Sequence, residues 1–95
     1  MSVNYAGNLD WDLGEKRHVR AVIKPKCETE LDFIIRNARY ELKQNGEVVD
    51  SGECTVSEHE LDAYVFPENR GTYELSLIYE IADEIWVDVI KIKVG

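Results

Sequence analysis

From Tyr73 to Ile81 large apolar residues occupy every second position: Tyr73, Leu75, Leu77, Tyr79 and Ile81 alternate with Glu74, Ser76, Ile78 and Glu80. A period of two is the spacing of a strand with one face on a core, because successive side chains point to opposite sides. Helical periodicity is weak throughout the chain. Strand patterns and turn signals instead recur at short intervals, the pattern of a sandwich or barrel.

Ala38, Tyr40 and Leu42 share one face of another strand, with Arg39, Glu41 and Lys43 on the other. Asn45-Gly46 follows, a hairpin signal because both residues tolerate positive φ. Val48 and Val49 fall in the return strand, and Ser51-Gly52 reads as a second tight turn. Upstream, Leu31, Phe33 and Ile35 lie on odd positions. The phase change before Ala38 implies two strands, or one strand bent near Arg36-Asn37. "HVRAVIKP", "ECTV" and "ELDAYVF" supply three further strands, the first closed by Pro25 and the last by Pro67. In the final strand Ile90, Ile92 and Val94 face inward and Lys91 and Lys93 outward. Val87 and Val89 have the opposite parity, which predicts a bulge between Asp88 and Ile90.

These strands predict an all-β fold, an immunoglobulin-like antiparallel β-sandwich of seven or eight strands preceded by an extended N-terminal arm. The 95 residues read as one domain, with the arm over residues 1–16 and the sandwich over 17–95. Gly71-Thr72-Tyr73 sits where such a sandwich carries a corner tyrosine at the start of its sixth strand, two residues before a cysteine. Here Leu75 takes the cysteine position, so that contact becomes plain apolar packing; the competing reading of Tyr73 is an ordinary core aromatic.

The chain has 19 acidic and 11 basic side chains, a net charge of -8. That sign disfavours nucleic acid and anionic membranes as partners. No apolar run approaches a membrane span, and no signal peptide is visible at the start, which points to the cytoplasm. Cys27 and Cys54 are accordingly expected as free thiols rather than as a disulfide.

Asn8, Asp10 and Asp12 are spaced like the start of a calcium loop, but Leu13 and Val19 stand where the loop requires glycine and glutamate. His18, Cys27, Cys54 and His59 lack the close pairing of zinc ligands. His59, Glu60 and Asp62 read as a charged outer strand face. No serine or cysteine sits in a nucleophile motif, so neither a cofactor nor an enzymatic activity is expected.

The arm carries the candidate partner-binding residues. Val3, Tyr5, Leu9, Trp11 and Leu13 fall on odd positions ahead of a sandwich complete from Val19 onward. The arm either lies along its own sheet or adds to the edge of a neighbour, with Tyr5, Leu9, Trp11 and Leu13 as contacts. The expectation is that it serves assembly more than folding.

"FIIRNARYELKQNGEVVDSGE", "FPENRGTYELSLIYEI" and the terminal "IKIKV" together resemble small immunoglobulin-like structural proteins of tailed bacteriophages and prophages. "DWDLGE" is similar to the Trp-containing start of small phage head–tail or tail-adaptor proteins. The resemblance implies a non-enzymatic structural or assembly role in a virion, with other virion proteins or a second copy as partners. It also implies a passage from the bacterial cytoplasm into the particle. The alternative is an immunoglobulin-like binding module for a carbohydrate or host-surface ligand. Of the two tryptophans such a site would use, Trp11 and Trp86 lie at opposite ends of the sequence.

Overall fold

The structure is a computed structural model that describes residues 2–23, 34–81 and 83–95. The described residues form eight strands and no helix: β1 (Ser2–Trp11), β2 (Arg17–Val22), β3 (Ile35–Gln44), β4 (Glu47–Glu53), β5 (Thr55–Ser57), β6 (Glu60–Val65), β7 (Gly71–Ile81) and β8 (Glu84–Val94). They make two sheets, one ordered β1-β8-β7-β3-β4 and the other β2-β6-β5. The two sheets enclose one apolar core, so the fold is an all-β sandwich. Six of the strands pair only antiparallel. The exception to an all-antiparallel expectation is β1, which runs parallel to β8.

The alternation in β7 does what its period requires. Tyr73, Leu75, Leu77 and Tyr79 are buried in the core beside Tyr40 and Leu42 of β3 and Ile90, Ile92 and Val94 of β8. From the other sheet Val19, Leu61, Ala63 and Val65 close over them. Ser76, Ile78 and Val89 are also buried, on the outer face of the larger sheet and outside that core cluster.

The phase change before Ala38 is a bend within one strand. Asn37 takes a positive φ of 52°, and the β3–β7 register slips between Arg36 and Arg39. That slip brings Ile35 and Ala38, of opposite parity, into the same core. Leu31 and Phe33 lie outside the described residues. Asn45 and Gly46 both have positive φ, 54° and 80°, and join β3 to β4 as expected.

Two local expectations are corrected. Ser51-Gly52 is not a turn: both residues lie inside β4, with Gly52 directly opposite Tyr40. A Cβ at Gly52 would stand 2.9 Å from the Tyr40 ring, so the glycine answers to a close approach rather than to a bend. Nor is there a bulge in β8 between Asp88 and Ile90, since its register with β7 runs unbroken there. The slip lies across the interface, in β1, between Tyr5 and Gly7. Val3 and Tyr5 therefore register with Val87 and Val89, whereas Leu9 and Trp11 register with Ile92 and Val94. The odd-numbered pattern of the arm is split into two out-of-phase halves.

β5 and β6 form a hairpin with no glycine in its turn. Ser57 pairs with Glu60, and Glu58 adopts the positive φ, 54°, that a glycine would ordinarily supply.

Candidate binding cleft

Among the described residues the smaller sheet contributes three strands against five in the larger, which leaves the sandwich open along β4. A cleft of about 500 Å³ lies there. Tyr40, Leu42 and Tyr73 form its floor. Asp50 and Glu53 come from β4, Tyr64 from β6, and Phe66 and Glu68 from the segment joining β6 to β7. Gly52 belongs to the same wall and makes room for the Tyr40 ring.

The floor is fixed by hydrogen bonds to backbone. The Tyr40 hydroxyl donates to the Tyr64 carbonyl at 3.2 Å, tying one sheet to the other. The Tyr73 hydroxyl donates to the Asn69 carbonyl at 2.8 Å and accepts from the Asn69 amide at 3.1 Å. This is the corner bond expected of a sandwich tyrosine at the start of its strand, and Leu75, two residues on, is fully buried. Burial, then the nearby Asp50 carboxylate and Cys54, push the Tyr40 hydroxyl above its ordinary pKa.

Tyr64 and Phe66 remain substantially exposed, at 47% and 38%. Tyr64 stacks on His18 with ring centroids 4.3 Å apart, and the Lys16 ammonium lies 4.6 Å from its ring centre. The same outer face carries a charged cluster in which His18 Nδ1 lies 2.8 Å from Asp62 and Arg20 Nε donates to its other oxygen at 3.2 Å. The hydrogen bond from His18, reinforced by Arg20, holds the Asp62 carboxyl below the usual carboxylate range. Asp62 thus works with His18 and Arg20 across β2 and β6.

Cys54 is half-buried and carries a free thiol, pushed up to about 11 by burial and then by Asp62. A thiol so raised is a poor nucleophile. Cys27 lies outside the described residues. Among the described residues no three His, Cys, Asp or Glu side chains gather as a metal site. No helix among them is long and apolar enough to cross a membrane.

Among the described side chains of the arm, Leu9, Trp11 and Leu13 do not share one environment. β1 pairs with β8 of its own chain. Trp11 is 3% exposed in the core; its indole N–H donates to the Glu15 carbonyl at 2.9 Å, and the Arg17 guanidinium lies 4.1 Å from its ring. Leu9 and Leu13 are exposed, and Tyr5 is in register with Val89. A second groove of about 330 Å³ runs between β1 and β2, where Leu9 and Val22 meet Asp88, whose carboxylate accepts from the Tyr79 hydroxyl at 3.1 Å.

Of the cleft residues, sequence reasoning took Tyr40, Leu42, Gly52 and Tyr73 as core or turn positions and passed over Asp50, Glu53, Tyr64, Phe66 and Glu68. A signal for the cleft was present: in β6 the inward positions are Leu61, Ala63 and Val65, so Tyr64 and Phe66 are aromatics at outward parity. Comparison with known proteins gives no matching family model and no matching curated protein.

Proposed function

We propose that this chain is a non-enzymatic structural or assembly protein of a phage or prophage particle, acting through contacts with other proteins. The observation that carries this reading is β4. Among the described residues it ends the larger sheet, and Val48 and Val49 on it are 50% and 53% exposed. An edge of this kind offers unpaired main-chain groups and apolar side chains to an added strand, the recognition mode known as strand addition. Of the arm, Leu9 and Leu13 hold exposed apolar surface for further contacts. The phage assignment rests on the sequence resemblance. It places the chain first in the bacterial cytoplasm and then in the particle, with other virion proteins or a second copy as partners.

The test is whether the chain travels with particles. A lysate of the cell that carries the gene, separated on a density gradient, should show the chain in the particle band at fixed stoichiometry. A chain found only in the soluble fractions overturns the reading.

A second reading has its own support. Exposed Tyr64 and Phe66 beside Asp50 and Glu68 give an aromatic and polar surface of the sort that holds sugars. Saturable binding of a neutral oligosaccharide at these residues, with no association of the chain with particles, would favour a carbohydrate or host-surface module.

A further inference from the structure

We propose that the cleft receives lysine or arginine side chains from an extended partner segment laid along β4. The proposal rests on the reading of the chain as a protein-binding module and names the chemistry of the partner.

Asp50, Glu53 and Glu68 line the cleft, and among the described residues no basic side chain forms an ion pair with any of them. Among the described residues the one basic side chain in the lining is Lys16, whose ammonium is seated over the Tyr64 ring. The cleft thus already holds one ammonium group of its own chain against an aromatic face, the arrangement by which aromatic rings attract cations. Phe66, with the Tyr40 ring at the floor, supplies apolar surface for the methylene stem of a long basic side chain, with the Asp50 carboxylate on the same inner face for its charged end.

The position of the cleft fits the mode of binding. Asp50 and Gly52 of β4 register with Leu42 and Tyr40, so they share the inner face of the sheet. A strand added beyond β4 would present alternate side chains, about 6.6 Å apart, to that face and so to the cleft mouth. Main-chain pairing would supply affinity and the acidic lining selectivity. A second copy of this chain is a poor occupant, because each copy carries a net charge of -8.

The experiment uses the full chain, isotopically labelled for amide NMR, and a blocked extended peptide, Thr-Lys-Val-Lys-Thr-Lys-Val. A peptide with glutamate in place of lysine and a neutral chitin trimer serve as comparisons. The lysine peptide should shift the amides of residues 47–53 and 64–69 and weaken several-fold as salt rises, since exposed charges are screened. The triple variant Asp50→Asn, Glu53→Gln, Glu68→Gln should bind it about tenfold more weakly, equivalent to about 1.4 kcal/mol. Neutralising three distant carboxylates by Asp12→Asn, Glu74→Gln and Glu84→Gln changes net charge equally and should leave binding within about twofold if the contact is local.

Equal loss in the two triple variants, an absence of salt dependence, or shifts outside the cleft would overturn the proposal. So would the glutamate peptide binding β4 equally well. If neither peptide binds while the chain still travels with particles, the assembly reading survives and this one fails. If the chitin trimer alone shifts the cleft amides, the occupant is a sugar.

Discussion

The Tyr73 hydroxyl both donates to and accepts from the backbone of Asn69, closing the corner between β6 and β7 with two hydrogen bonds from one side-chain atom. The corner sits at the end of the cleft, so the same residue anchors the core and shapes the site. Replacing Tyr73 with phenylalanine keeps the ring and leaves the Asn69 amide and carbonyl without this partner. That should cost about 1–2 kcal/mol. Replacement with alanine should cost about 3–5 kcal/mol, as for other large aromatics cut from a core. Urea denaturation of both variants measures the difference. Equal stability of wild type and Tyr73→Phe would mean the corner bonds add nothing.

Gly52 and Tyr40 form a second pair whose geometry makes a sharp expectation. A Cβ at residue 52 would meet the Tyr40 ring at 2.9–3.1 Å, and the ring is held by its bond to Tyr64. Gly52→Ala should therefore destabilise by about 1–3 kcal/mol, the usual cost of overpacking. In a Tyr40→Leu background, where the ring is gone, the same change should cost far less. Additive losses in the double variant would show that the two residues do not meet.

The Asp62 cluster predicts a pH dependence. Its pKa in the folded chain lies below the unfolded value of about 3.9 because His18 and Arg20 favour the carboxylate. The stabilisation is therefore present above about pH 4 and is lost as pH falls through the folded pKa. His18 and Arg20 are largely exposed, so the contribution should stay below about 1 kcal/mol and shrink in salt. Thermal melts of wild type and Asp62→Asn from pH 7 to pH 2.5 should converge at the acid end. A gap that widens on acidification would reverse the sign and refute the assignment.

These residues also mark what a sequence can disclose. Asn45-Gly46, the bend at Asn37 and the corner tyrosine are local: each requires a particular φ or a strict alternation, and each leaves a signature within a few positions. Gly52 misleads because the same residue type serves turns and close approaches, and the ring that demands it lies 12 positions away. The slip in β1 is invisible because Val3, Tyr5, Leu9 and Trp11 keep an unbroken parity while the backbone does not. The cleft escapes for a further reason. Its walls, β4 and β6, belong to different sheets, so no spacing along the chain relates Asp50 to Tyr64 or Phe66.

The arm presents the clearest division between folding and assembly. Within this chain β1 covers the outer edge of β8, and its end is tied to the C-terminus: the Gly95 amide donates to the Trp11 carbonyl at 3.0 Å, and the Leu13 amide to the Gly95 carbonyl at 3.2 Å. Trp11, at the end of β1, belongs to the core cluster, and the Arg17 guanidinium lies over its ring. Trp11→Ala should therefore cost about 3–5 kcal/mol, as expected for a buried tryptophan. Deleting residues 1–14 should lower the melting temperature further, because it also strips the edge of β8 of its partner. Leu9 and Leu13 are exposed, so Leu9→Ser and Leu13→Ser should leave the melting temperature nearly unchanged. If the arm instead belongs to a neighbour, the truncated chain will melt at the full-length temperature and sediment as a smaller species. Melting and sedimentation of the truncated and full-length chains, measured at two protein concentrations, separate these outcomes. Concentration-independent melting of the full-length chain, with a large loss on truncation, places the arm in its own sheet.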